Sequence, residues 1–155
     1  MKCFSIVLLI TLAACGPKVL TASEHLTQGS IDGAARRSVE LFFEVNGEPL
    51  KATSPLNLIV VGEERFARLL PKSFPRDVTF DAFCQRSANY VLVVVRDGAF
   101  SKWQSGDLAR HTLVWHELGH CLLHKSHVGD PRALMNAIPA MPTNYLDLVE
   151  MLGDI

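Results

Sequence analysis

The stretch DLARHTLVWHELGHCLLHKSH, Asp107 to His127, decides how the chain is read. It contains no proline, and Leu108, His111, Trp115, Leu118 and Leu122 recur in it at spacings of three and four, flanked by Val114 and Cys121. That period marks the core-facing stripe of an α-helix. Ser105, Gly106 and Asp107 offer the N-terminal cap, so a helix is expected from there through Leu123. Inside it, His116-Glu117-Leu118-Gly119-His120 matches H-E-x-x-H, a pattern expected by chance about 0.01 times in a chain of this composition.

The spacing carries chemistry because residues four apart stand one turn apart on a helix. His116 and His120 can therefore bring imidazole nitrogens to one zinc ion. Glu117 lies beside the first ligand, where its carboxylate can take the proton of a zinc-activated water attacking a carbonyl and return it to the leaving amine. A catalytic zinc site needs a third protein ligand and an open fourth position. His124, roughly 12 Å from His116 along a continuing helix, cannot supply that ligand. His127 can, if the helix ends near Leu123 or His124 and the chain reverses. Glu150, on a later helix expected over Asn144 to Leu152, is the rival. Asp130 and Asp147 are candidate acceptors for ligand N–H groups, and His111, on the apolar stripe, reads as a core histidine.

The run from His116 to His127, followed by Ala133-Leu134-Met135-Asn136, resembles the metzincin clan of zinc peptidases. It is also similar to bacterial metallopeptidase-like proteins carrying H-E-L-G-H-C and an S-I-M-N type of turn. The resemblance covers Asp107 to Asn136, about a fifth of the chain. It implies zinc bound by His116, His120 and His127, Glu117 as general base, and Met135 in a Met-turn packed beneath the histidines. Two features depart from the clan's pattern: the third histidine comes one residue late, Ser126 holding its usual place, and the turn glycine is missing. A left-handed residue is needed to break the helix there, and His124 is of a type that tolerates positive φ. Tyr145 is a candidate oxyanion stabiliser in the manner of some metzincins, with core packing as the other reading. In the gluzincin scheme Glu150 would replace His127, but that leaves His127 and Met135 without a role.

Upstream, Leu56 to Val61 is a short β-branched run between Pro55 and Gly62, expected to be a buried strand. Tyr90 to Val95 is continuously apolar and reads as a strand buried on both faces. A helix is expected over Ile31 to Val45, stopped at Gly47, and a shorter one over Glu63 to Leu70. Pro71 to Asn89 reads as a loop with Phe74, Phe80 and Phe83 packed beneath it, and Asp97-Gly98 as a turn. The fold class is α+β: a small metzincin-like domain whose short sheet packs on the H-E-x-x-H helix.

At the N-terminus, Lys2 precedes an apolar run from Cys3 to Ala14 that is too short to span a bilayer as a mature helix, so it reads as a signal peptide. Leu12-Ala13-Ala14-Cys15 resembles the lipobox of bacterial lipoproteins. The resemblance implies cleavage after residue 14, lipid on Cys15, and a membrane-anchored protein of the bacterial cell envelope. Gly16 in place of the usual retention aspartate favours the outer membrane, facing the periplasm. The expected organisation is a signal peptide over 1–14, a lipidated N-terminus and tether over 15–30, and a peptidase-like domain over 31–155. Cys84 and Cys121 are then two thiols in an oxidising compartment, and a disulfide between them is expected.

With 155 residues, 48 % of them apolar, the chain is sized for one globular domain. A formal net charge of −1, from 15 basic and 16 acidic residues, argues against nucleic acid as a partner. Peptide or protein is the expected substrate. The alternative is a zinc-binding or structural envelope lipoprotein without catalysis; Glu117 speaks against it, since a purely structural site needs no carboxylate there.

Overall fold

In the computed structural model, residues 17–46, 50–75, 79–102, 107–130, 132–136 and 141–153 are described. The signal peptide expected over 1–14, Cys15, Gly16, Gly47 and the expected cap residues Ser105 and Gly106 lie outside them. In chain order the elements are α1 (Ala22–Gln28), β1 (Ser30–Ile31), α2 (Gly33–Val45), β2 (Leu56–Val61), α3 (Glu63–Leu69), β3 (Ala82–Arg86), β4 (Val91–Arg96), α4 (Asp97–Lys102), α5 (Asp107–Leu122) and α6 (Tyr145–Gly153). The class is mixed α+β. The four strands form one open sheet in the order β1-β2-β4-β3, with β1, β2 and β4 parallel and β3 antiparallel on the edge beside β4.

The alternation of side chains along β4 explains why it reads as apolar throughout. Val91, Val93 and Val95 join Leu56 and Leu58 of β2 in the main core beneath α2 and α5. Val94 faces the other way, into a smaller cluster with Val61, Phe66 and Phe83. Phe74 and Phe80 pack on that cluster from the 71–80 segment, Phe80 lying edge-on to Phe74 at 5.1 Å. Both faces of the central strands are thus covered.

Helices α2 and α5 are joined by polar contacts as well as by packing. The Trp115 indole N–H donates to the Ser38 carbonyl at 2.8 Å, and Ser38 Oγ lies 2.8 Å from His111 Nδ1, all three residues being buried. Phe42 meets Trp115 edge-on at 6.1 Å. His111 is therefore a hydrogen-bonded core histidine, as its place on the stripe suggested.

Three expectations need correction. The tether expected over 15–30 is folded along most of its described part: the Leu20 N–H donates to the Ala52 carbonyl, α1 follows, and β1 adds Ser30 and Ile31 to the sheet. Its polar composition hid a capping box in which Thr21 and Glu24 satisfy each other's backbone donors, and His25 of the same helix is fully buried. The loop expected over 71–89 contains β3. That strand is short, and β4 supplies its ladder, so local pattern does not mark it. Finally, Asp97-Gly98 begins α4 instead of a turn. Asp97 at a helix start is favoured by the partial positive charge there.

Cys84 of β3 and Cys121 of α5 form a disulfide, with Cα atoms 5.7 Å apart. It closes across 37 positions of sequence and ties the edge strand to the helix that carries H-E-x-x-H.

Candidate metal centre

Helix α5 runs through the interior, and twelve of its sixteen residues are buried, among them His116, Glu117, Leu118 and Gly119. His116 is 7 % and Glu117 6 % exposed, while His120 is half-buried and His127 is exposed. The centre therefore sits at the end of a core helix and opens toward solvent on one side.

The end of α5 sets the third histidine. The Leu122 carbonyl accepts the Lys51 N–H at 2.7 Å. His124 adopts the left-handed conformation, φ 59°, and is the only described non-glycine residue with positive φ. The chain reverses there, so that the Lys125 N–H donates back to the Gly119 carbonyl at 3.0 Å. This is the turn role expected of His124, and it sends His127 back over the preceding turn of helix.

His127 is then held against the segment that follows. The Val128 N–H donates to the Met135 carbonyl at 3.0 Å, Asn136 Nδ2 donates to the Val128 carbonyl at 3.2 Å, and the two segments form a parallel bridge between Val128 and Asn136. Asp130 shapes this turn by accepting the Arg132 N–H at 2.9 Å. Met135, 2 % exposed, lies on α5 at Gly119, where a Cβ would stand 2.4 Å from its sulfur. The glycine of H-E-L-G-H is thus the place where the methionine approaches the helix between the two histidines.

The Nε2 atoms of His116, His120 and His127 lie 3.0 to 3.2 Å from one another. His116 Nδ1 faces the Leu134 carbonyl at 2.7 Å and His120 Nδ1 faces the Lys125 carbonyl at 2.7 Å. A carbonyl only accepts, so both Nδ1 atoms carry hydrogen. The neutral rings then present bare Nε2 lone pairs toward the cluster. Burial keeps the rings neutral, holding His116 down at about 4 and lowering His120 too, against the raising effect of those carbonyls. Three nitrogens with at most one hydrogen among them cannot satisfy each other by hydrogen bonding. They are disposed to hold a metal ion.

Among the described residues this is the only group of histidine, cysteine, aspartate or glutamate side chains placed to share an ion. Glu150, the rival ligand, is exposed on α6 and is not part of it. Neither aspartate holds a ligand N–H: Asp130 closes the turn described above, and Asp147 accepts from the Thr143 backbone and hydroxyl. Tyr145 meets Trp115 edge-on at 6.0 Å but is itself exposed, so it lies against the rim of the core and not inside it. Glu117 lies in the interior beside His116, and burial pushes its carboxyl up to about 8.

Sequence reasoning missed Arg86, whose guanidinium donates to the His120 carbonyl from the end of β3. No signal in the sequence marks a pair 34 positions apart. Comparison of the chain with protein-family models, with curated proteins and with solved structures returned no match.

Proposed function

We propose that the protein is a zinc-dependent peptidase of metzincin-like type, with His116, His120 and His127 as zinc ligands and Glu117 as general base. The observation that carries this reading is the convergence of three Nε2 atoms, two of them left bare by the carbonyls on their Nδ1 side. Ligand nitrogens of a tetrahedral zinc with bonds of about 2.0–2.1 Å stand about 3.3–3.4 Å apart. The spacing of 3.0 to 3.2 Å fits that donor set closely. Three ligands of one type with a fourth position left over is the pattern of catalytic zinc.

When bound, zinc would supply Lewis acidity toward a carbonyl and lower the pKa of water. The chain's own residues supply the rest. The Leu134 and Lys125 carbonyls fix the tautomer and orientation of His116 and His120. Glu117 accepts the proton of the attacking water and delivers it to the leaving amine. Burial raises the pKa of this carboxyl, and a cation held by the histidines would favour its ionised form, the form that accepts a proton. No side chain here needs to form a covalent acyl intermediate.

The disulfide supports an oxidising compartment, and the lipobox-like sequence ending at Cys15 supports a lipid-anchored envelope protein. The test is cleavage of a pool of unstructured peptides by the purified protein loaded with zinc. Glu117→Gln is expected to lower turnover by about 10²–10⁴-fold while keeping the metal, and a chelator to abolish it. Cleavage unchanged in Glu117→Gln overturns the reading.

A further inference from the structure

The metal's ligand set does not by itself require the edge strand β3, yet β3 is fastened to the last turn of α5 twice. Cys84 is disulfide-bonded to Cys121, and Arg86 donates from Nη1 to the carbonyl of His120. Cys84 and Arg86 are two residues apart on a strand, so both side chains leave the same face, the one turned to α5. The two points of attachment, residues 120 and 121, are consecutive and include one of the three clustered histidines.

The end of a helix leaves its last carbonyls without intrahelical partners. In α5 the Gly119 carbonyl is taken by the Lys125 N–H and the Leu122 carbonyl by the Lys51 N–H. The His120 carbonyl is taken by Arg86, the one side chain among these donors. His120 is thereby held at two points, its backbone by Arg86 and its ring by the Lys125 carbonyl. Arg86 itself is exposed at the end of its strand. It could lie in water at no cost in burial, so its engagement with this carbonyl calls for an account.

We propose that Arg86 is a positioning residue of the metal centre: by holding the His120 carbonyl from β3, with the Cys84–Cys121 disulfide fixing the strand beside it, it sets where the His120 imidazole stands and hence how tightly the ion is held. This rests on the three-histidine metal site proposed above. Groups that orient a ligand are worth about 10- to 100-fold in metal affinity. A plain helix cap would instead act on the metal-free fold and leave affinity alone.

The experiment measures zinc affinity by chelator competition, and the visible spectrum of the cobalt(II)-substituted protein, for wild type, Arg86→Ala and Arg86→Lys. Melting of each metal-free protein is followed in parallel. Arg86→Ala is expected to bind zinc about tenfold more weakly and to show an altered cobalt spectrum. Arg86→Lys, which keeps one charged donor, is expected to recover most of the affinity. Because residue 86 is exposed, the metal-free melting temperatures should stay close together. Equal affinity in wild type and Arg86→Ala overturns the inference, as does a lower melting temperature in Arg86→Ala with unchanged affinity. If Arg86→Ala does not fold, wild-type affinity and spectrum in Arg86→Gln overturn it, since glutamine keeps a donor without the charge or the reach. A wild-type protein that binds no metal removes the underlying site reading as well, which separates the two failures.

Discussion

Gly119 shows how much a single position in the centre can matter. Alanine there would gain about 1 kcal/mol of helix propensity, but its Cβ would stand 2.4 Å from the Met135 sulfur and 3.2 Å from its methyl carbon. Met135 is almost fully buried, and forcing extra volume into a packed interior costs about 1–3 kcal/mol. The clash outweighs the propensity. Gly119→Ala is therefore expected to lose about 1 kcal/mol net and to melt about 2–4 °C lower; a variant that melts higher would show that Met135 moves aside freely. At this scale much of the centre was legible. His116, Glu117, His120 and His127 were named from spacing and resemblance, and the structure brings the three histidines together, with His124 supplying the left-handed turn. The carbonyls of Leu134 and Lys125, the Arg86 contact and the seat of Met135 on Gly119 were not legible, because backbone acceptors and distant neighbours leave no mark in residue type.

Among the elements, α1 docks through a buried histidine whose charge state bears on that docking. His25 is fully buried, its Nδ1 accepts the Leu56 N–H at 3.2 Å, and burial lowers its pKa from 6.5. A lowered folded pKa means that the unfolded chain binds more protons in the window just below 6.5, so stability rises with pH there. The contribution is complete above 6.5 and is lost as pH falls toward the folded value. His111, held by Ser38 and also lowered by burial, acts in the same direction. Buried Glu117, whose pKa is raised, acts in the opposite direction in both proteins, so the His25 contribution is read as a difference: in denaturant melts from pH 7.5 down to about 5, wild type is expected to lose stability relative to His25→Gln as pH falls. A pH profile identical in the two proteins would contradict this account of α1. The helix was missed in the sequence for a physical reason: seven residues with mostly polar side chains show no apolar period, and the Thr21-Glu24 capping box was the only local signal. β3 escaped in a similar way, since its five residues draw their ladder from β4 and their anchorage from the disulfide.

For the whole molecule, strand identity and strand order differ in what sequence can show. β2 and β4 were visible as apolar runs because both faces of each are covered, by α2 and α5 on one side and by the Phe66, Phe74, Phe80 and Phe83 cluster on the other. The order β1-β2-β4-β3 places β3, hairpin-paired with β4, on the edge, where it reaches α5; the parallel pairings of β2 with β1 and β4 join strands distant in sequence and have no local signature. The result is a chain in which core, sheet edge and disulfide all bear on one helix. None of the described helices is long and apolar enough to cross a membrane, so a membrane tie of the kind proposed would rest on the residues around Cys15. What the architecture delivers to solvent is a triangle of imidazole nitrogens, with buried Glu117 next to His116 in the chain. The measurement that tests this most directly is the zinc content of the purified protein after exhaustive dialysis, taken together with His127→Ala and Glu117→Ala. The account predicts one zinc per chain in wild type, retention in Glu117→Ala, and loss in His127→Ala. No zinc in wild type, or zinc held equally well without His127, would contradict it.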